Sequence, residues 1–384
     1  MLQSKSNPLS VHRLLSLYVA FLFVLYCSGC QKSTQTADAH TEIEIPQNYN
    51  IALRVAEEKS SSDQLKSSFA VTQKITLTGS KILMLSKLRV IAGKLYVIDS
   101  DRRVVESYDS NGKFIKQLGE GGNKPGGFLF PTDATETKEG FVAVTDFQGH
   151  RVNIFDGAGD YKNSFVYTPQ VFSAQKLLFD QSSQRFYLFG NRWQHDADEK
   201  LQGAELVHAY SSDGVFQVSM FPFPDKAKPL DLYAYDEPMI DAKDGNVYYV
   251  LPFEYKIWKL LPDNNPQLLM ESNSEHFRFP TEKLDLTKAP RTKTVDYVQS
   301  WKASWTPMTG MAAVGDKLIV QYQTFNPLRY TVDIWSIPQK KILKTLSTNH
   351  LLLTRDSADS IYFLSNIEIK GQHSYELLCA NLVK

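Results

Sequence analysis

The sequence predicts an all-β chain, a ring of short antiparallel sheets forming a β-propeller, on three observations. First, "GFVAVTDFQGHRVNIFDGAGDYKNSF" (140–165) echoes "KLYVIDSDRRVVESYDSNGKFIKQL" (94–118) at an offset of 47 residues without a gap. Asp99 falls on Asp146, Val105 on Val152, Tyr108 on Phe155, Asp109 on Asp156 and Gly112 on Gly159. Second, apolar residues alternate or run in blocks of four to six bounded by Gly, Pro, Asn and Asp, with no helical period of substance. Third, aromatic residues make up 12% of the chain, a composition suited to pleated, half-buried surfaces. A period of 40–50 residues belongs to propellers and solenoids, and a two-sheet sandwich gives no reason for such an echo.

The N-terminus comes first. Lys5 and Arg13 precede "LLSLYVAFLFVLY" (14–26), a 13-residue apolar run that fits a signal-peptide core and is short for a bilayer span. "CSGC" follows, and Ser28-Gly29-Cys30 resembles a bacterial lipobox, which places lipidation at Cys30. The resemblance covers a few residues and departs from the usual pattern at Cys27, where an aliphatic residue is typical; a plain secretory signal is the alternative. Residues 1–29 then read as signal peptide, 30–40 as a polar, flexible tether, and 41–384 as one propeller domain. With Cys27 removed and Cys30 acylated, only Cys379 remains, so no internal disulfide holds the exported fold.

Each repeat unit reads as strands joined by tight turns. "KLYVID" (94–99) is a strand, "SDRR" a polar turn, "VVESYD" (104–109) a second strand, "SNG" a turn with Gly112 free to adopt positive φ, and "KFIKQL" (113–118) a third. A fourth strand completes a blade. Weaker copies follow at 185–190 with 208–220, at 244–263, at 315–323 with 329–346, and at 359–366 with 374–384. That makes six units, hence a six-bladed β-propeller of four-stranded antiparallel blades; seven blades is the alternative if the segment before residue 82 hides another. A ring must close or leave edges unpaired. An N-terminal strand, "TEIEIP" (41–46) or "QKITLTG" (73–79), is expected to complete the last blade, and "SSSDQLKSSFAV" (60–71) is a short helix or a loop.

"GEGGNKPGGFLFPTDATETKEGFVAVTDFQGHRVNIFDGAG" (119–159) resembles the NHL repeat: a Gly-rich lead, P-G-x-F, a strand ending V-x-D, then H-R-V-x-I-F-D and Gly. The first unit departs from it, with Val104 where Arg151 stands and Arg103 one place early. With the lipobox, the chain looks like the six-bladed propeller lipoproteins of Bacteroidetes. That resemblance implies a membrane-anchored propeller without a settled activity.

Formal charge is zero and no long basic run occurs, so nothing favours a phosphate-backbone partner and no nucleic acid is expected. "GEGGNKPGG" has neither the spacing nor the Lys-Ser/Thr of a phosphate loop and reads as an interblade turn. Asp99 and Asp146 end matching strands, and carboxylates there ordinarily accept backbone N–H bonds. Arg151 is expected to pair with a nearby turn carboxylate or carbonyl, or to face a ligand. His195 lies near Asp196, Asp198 and Glu199 in "NRWQHDADEK", which lacks the spacing of a calcium loop, so no metal site and no cofactor are assigned. There is no G-x-S-x-G elbow, and Cys379 in "ELLCANL" reads as a small core residue.

Two excursions interrupt the rhythm, 191–207 and 271–305. They carry Trp193 and His195, and Tyr297, Trp301 and Trp305, as binding candidates with Arg151; the last three rings either form a contact surface or cover a blade. The function expected is a non-enzymatic binding or scaffold module in the cell envelope. It is held on the membrane by its N-terminal lipid and displays loops to a protein, peptide or glycan. The alternative is a propeller enzyme of the lactonase, strictosidine-synthase or peptidyl-hydroxyglycine-lyase type. Calcium or acid–base groups would then sit at the central channel, with Asp99, Asp146, His195 and Glu254 as first candidates.

Overall fold

The computed structural model describes residues 63–168, 171, 173–191, 205–222, 224–225, 238–261, 265–272, 277–282, 297, 300, 301, 304–324, 329–369 and 373–383. Compactness divides the chain between Gln47 and Asn48, and every described residue belongs to the second unit. The expected signal peptide, tether and 41–46 strand lie outside the described residues.

Six four-stranded antiparallel sheets follow one another. Blade A holds β2 (Lys87–Ile91), β3 (Lys94–Asp99), β4 (Val104–Tyr108) and β5 (Phe114–Leu118). Blade B holds β6 (Pro131–Glu136), β7 (Val142–Asp146), β8 (Arg151–Phe155) and β9 (Tyr161–Val166). Blade C holds β10 (Ser173–Asp180), β11 (Arg185–Asn191), β12 (Glu205–Ser211) and β13 (Phe216–Pro222). Blade D holds β14 (Met239–Lys243), β15 (Asn246–Val250), β16 (Lys256–Leu260) and β17 (Pro266–Glu271). Blade E holds β18 (Met308–Val314), β19 (Lys317–Thr324), β20 (Arg329–Ser336) and β21 (Lys341–Thr348). Blade F holds β22 (Leu351–Arg355), β23 (Ile361–Ile369), β24 (His373–Leu382) and, as its outermost strand, β1 (Phe69–Thr76). The innermost strands touch in succession, β2 to β6, β10, β14, β18, β22 and back to β2, so the ring is closed and has six blades, not seven.

Burial explains which strands the sequence announces. The middle strands β4 and β7 are buried at every position because a blade packs on both sides, even though β4 carries Glu106 and Ser107 and β7 carries Thr145 and Asp146. The outer strands β9 and β21 are mostly exposed and read as polar. The turns repeat as well. Asp109 Oδ1 accepts the N–H of Asn111 and of Lys113 at 2.9 Å, and Asp156 Oδ1 accepts Ala158 and Asp160 at 3.0 Å. Each turn is completed by a glycine at positive φ, Gly112 at 84° and Gly159 at 83°. A Cβ on Gly112 would also stand 2.5 Å from the Thr76 carbonyl of β1, so this turn is packed against the closing strand.

Closure uses the second of the two expected segments, shifted earlier: β1 begins at Phe69 and pairs with β24 from Phe69↔Leu382 to Thr76↔Glu376. Of the 60–71 stretch, the described part, 63–71, holds a 3₁₀ turn, Leu65–Ser67, followed by the start of β1, and residues 60–62 lie outside the described residues. Gln64 donates its N–H to Ser347 O at 2.9 Å and accepts Ser347 N–H at 3.1 Å, while Asp63 pairs with His350 at 2.8 Å. The segment before β1 therefore grips blade E while β1 itself completes blade F, and the seam between them is stapled from both sides.

Candidate functional site

In each blade the second strand ends on the rim where the first began. The hairpins between second and third strands therefore share one rim with the crossings between blades. On this connecting rim the fold gathers Asp99, Asp146, Arg151, Glu254 and both excursions, 191–207 between β11 and β12 and 271–305 between β17 and β18. Trp193 and His195 lie outside the described residues.

The repeat carboxylates are built into that rim. Asp99 is fully buried and accepts the N–H of Leu83 at 2.7 Å and of Arg102 at 3.1 Å. Burial pushes its carboxyl above the usual range, against the opposing pull of those N–H groups and the Arg102 charge. Asp146 accepts Phe130 N–H at 2.8 Å and Leu129 N–H at 3.0 Å, so it fixes the segment leading into β6. Arg151 stands 3.4 Å from the Asp146 carboxylate and donates to Gly127 O at 2.9 Å and Asn123 O at 3.2 Å. The Gly-rich segment is thus the carbonyl socket of Arg151, the interblade role read from its sequence. A Cβ on Gly127 would meet the Gly122 carbonyl at 2.6 Å, and one on Gly149 would meet Asp146 Oδ2 at 2.1 Å, so both positions require glycine. Arg102 takes the arginine role in blade A, binding buried Glu106 at 2.6 Å and Lys81 O at 2.8 Å, a substitution the alignment of repeats did not expose.

The axis is lined by paired charges. Arg89 on β2 grips Asp133 on β6 with two bonds, 2.8 and 2.7 Å, and Asp133 also accepts Leu177 N–H from blade C at 3.1 Å. Burial would raise the Asp133 carboxyl, but Arg89, Lys87 and Lys176 outweigh it and hold it below the usual range. Asp241 on β14 accepts Ala313 N–H from blade E at 2.8 Å and pairs with Arg355 of blade F at 2.7 Å. The two carboxylates do equivalent work on alternate blades, and the sequence did carry a signal: each opens an Asp-Ala pair on an inner strand, "TDAT" and "IDAK". Among the described residues, no group of three or more His, Cys, Asp or Glu side chains gathers in a metal-holding arrangement.

The sector from blade C to blade E is aromatic instead. Trp301 and Trp305 are buried, 5.4 Å apart, in one cluster with Phe189, Phe221, Tyr249 and Phe253, and Tyr297 packs against it. The sequence allowed these rings to be contact residues or a covering; the two indoles are placed as a covering, because the apolar faces of blades C and D leave them no better environment than the core. Trp301 Nε1 donates to Glu282 O at 2.7 Å. Deeper between blades D and E, Tyr255 donates to Asp333, accepts from Trp335 Nε1 at 2.9 Å, and is held protonated by burial and by the carboxylate. Among the described residues, three buried polar atoms of this sector have no hydrogen-bond partner: Tyr249 Oη, Trp258 Nε1 and Trp305 Nε1. Each is a group that normally finds one. Beside Tyr249, the gap between blades C and D, lined by Phe189, Gly190, Leu206, Val207, Pro238, Tyr249 and Leu251, is too narrow to admit a water molecule.

A third-strand aromatic recurs at a register shift in five blades: Tyr108, Phe155, Tyr210, Trp258 and Trp335. In blades A to C it meets an outer-strand aromatic edge to face, Tyr108–Phe114 at 5.8 Å, Phe155–Tyr161 at 6.1 Å and Tyr210–Phe216 at 5.5 Å. Blade D breaks the rule: Trp258 stacks on Tyr249 within 14° and touches Phe221 of blade C at 5.0 Å.

The comparisons with known proteins agree with this architecture. Among solved structures, a putative exported protein from Bacteroides fragilis superposes with a TM-score of 0.60 at 12% identity, covering 85% of this chain and 98% of that one. A member of the duf4221 family from Bacteroides vulgatus gives 0.57 at 7% identity, covering 82% and 98%. At such identities the likeness is one of fold. The human E3 ubiquitin-protein ligase NHLRC1 is 34% identical over 70 residues, 18% of each chain, which carries the NHL resemblance and spans a small part of that relative. Residues 49–301 match the family DUF5128, described as 6-bladed beta-propeller, and this chain belongs to that family.

Proposed function

We propose that the chain is a membrane-anchored, extracytoplasmic binding module whose connecting rim, in the sector of blades C to E, receives a protein or peptide partner. One observation carries the reading: both long excursions open onto the same rim of a closed ring, while the repeat carboxylates and the axial charges are occupied in holding segments and blades together. Loops on a rigid scaffold are where recognition concentrates. The anchor rests on the lipobox-like Cys30 and the apolar run before it.

The test is capture from intact envelopes by the wild type and by two variants, with residues 192–204 or 283–296 replaced by Gly-Ser linkers. Trp301 and Trp305 are kept, because they are core residues. Partner recovery is expected to fall in at least one variant while the unfolding temperature holds. Equal recovery from all three would remove the proposed loops from recognition. Anchoring is tested separately: radiolabelled palmitate enters the wild type and not Cys30→Ser.

A further inference from the structure

We infer that the apolar lip which blades A and B present on the connecting rim rests on a lipid surface, so that this rim of the ring faces the membrane. The inference rests on the proposed anchor at Cys30 and adds the face that the ring turns to the bilayer.

The lip is built by the repeat itself. Asp99 accepts the Leu83 amide at 2.7 Å, and Asp146 accepts the Leu129 and Phe130 amides at 3.0 and 2.8 Å. The segments so held bring apolar side chains to the rim: Leu83 is 39% exposed, and Met84, Leu129 and Phe130 are half-buried. Phe147, which follows Asp146, sets its ring 6.1 Å from that of Phe130, and Val166 at the end of β9 is 62% exposed on the same rim. Ser100 Oγ donates to Pro131 O at 2.7 Å and ties the hairpin of blade A to the Phe130 side of blade B. The hairpins 100–103 and 147–150 have four residues each, too short to fold back over these side chains, whereas blades C and D carry the two excursions. A contiguous apolar surface left open in this way marks a contact site.

Two observations select lipid as the occupant. The first is the route of the chain. Asp63 pairs with His350 at 2.8 Å and Gln64 bonds to Ser347, and both partners lie where β21 crosses to β22, on the connecting rim. A chain anchored upstream at Cys30 therefore meets the ring on the rim that carries the lip. The second is chemistry. A protein interface carries about one hydrogen bond per 100–200 Å², yet the amides of Leu83, Leu129 and Phe130 are already bonded inward to the two carboxylates. A bilayer asks for no such bonds: apolar side chains enter the boundary of headgroups and acyl chains, and basic groups sit at the headgroups beside them. Lys81 is exposed two residues before Leu83, and Arg103 is exposed on the adjoining hairpin, beside the acid Asp101.

The experiment uses the Cys30→Ser chain with a histidine tag in place of residues 1–29. It is held on vesicles of phosphatidylethanolamine, phosphatidylglycerol and a nickel-chelating lipid, so it is tethered whether or not Cys30 is acylated in the cell. Dansylalanine is placed at position 83 or, on the opposite rim, at position 157 in the β8–β9 turn, where Gly157 has open space around it. Both labelled chains are expected to keep the unlabelled unfolding temperature, since Leu83 is exposed and Gly157 meets no neighbour. Brominated phospholipid is expected to quench the probe at 83 several-fold more than at 157, and aqueous iodide to do the reverse. Equal quenching at the two positions, or greater lipid quenching at 157, would overturn the inference. So would a probe at 83 shielded from both quenchers, the mark of a protein covering, whether a partner or residues 31–62 of this chain. Palmitate incorporation at Cys30 is scored separately, so a failed anchor and a failed lip give different results.

Discussion

The seam between blades A and B and the seam between blades C and D are built on opposite principles. At the first, charged and polar groups are matched: Arg89 with Asp133, Asp146 with the Leu129 and Phe130 amides, Arg151 with the Gly127 carbonyl. At the second, aromatic rings fill the gap, and among the described residues Tyr249 Oη and Trp258 Nε1 have no hydrogen-bond partner. The first seam is held chiefly by its polar groups, with Arg151 Nε paired to Asp146 by charge at 3.4 Å and not by a hydrogen bond. A buried donor left open forgoes about 1–3 kcal/mol.

Variants can break or sharpen that contrast. The largest effect is expected from the closure on which both seams depend. Deleting residues 63–76 removes β1 and the Gln64–Ser347 staple, and thermal unfolding should lose its single cooperative transition; a sharp transition near the wild-type temperature would show that the ring closes without β1. Next, Asp133→Ala leaves the Arg89 guanidinium unpaired in a buried site and should cost about 4 kcal/mol in denaturant unfolding. Asp146→Ala leaves two partly buried amides without their acceptor and should cost about 2 kcal/mol. Losses under about 1 kcal/mol in either would end the claim that this seam is held by its polar groups.

Acid gives a finer reading of the same side. The folded Asp133 carboxyl lies below its unfolded value, so its contribution is present above the ordinary aspartate range and is lost as pH falls through the depressed folded value. Asp99 has the opposite sign: its raised folded value favours the fold in acid, and that advantage disappears as pH rises through it. Asp133→Asn should therefore flatten the acid limb of the stability curve and Asp99→Asn should steepen it. Parallel curves for the two variants would contradict the assignment. The smallest effect belongs to the aromatic sector. Trp301→Phe loses, besides packing, the bond to Glu282 O, which should cost about 1 kcal/mol. Trp305→Phe loses a similar amount of packing but, among the described residues, no hydrogen bond, so it should cost less than Trp301→Phe by about that 1 kcal/mol.

Legibility in the sequence follows the same divide. Blades A and B could be aligned residue for residue, because Asp99 and Asp146 do the same backbone work and Gly112 and Gly159 close the same turn. From blade C onward those positions become Gly190, Leu251, Tyr322 and Ser365, and only the strand rhythm survives, since aromatic packing tolerates many sequences where a carboxylate socket tolerates few. Blade count, closure by an N-terminal strand and the Arg151 pairing were all readable. The axial pairs were not, because Arg89 and Asp133 are 44 residues apart and Asp241 and Arg355 are 114 apart, and nothing local marks such partners beyond the repeated Asp-Ala. The narrow gap at Tyr249 was invisible for the same reason: its walls come from two blades. Tyr297, Trp301 and Trp305 drew notice as aromatics in a polar context, and burial of the two indoles shows that a loop's rings can belong to the core beneath it.

The central claim is that architecture lives where the repeat is kept and recognition where it decays. Photo-crosslinking in intact envelopes tests it most directly, with a benzoyl-phenylalanine placed at position 197, within the sequence between β11 and β12, in one strain and at position 123 in another. Crosslinked partner at 197 and none at 123 is the predicted result; crosslinking at 123 alone, or equally at both, would contradict it.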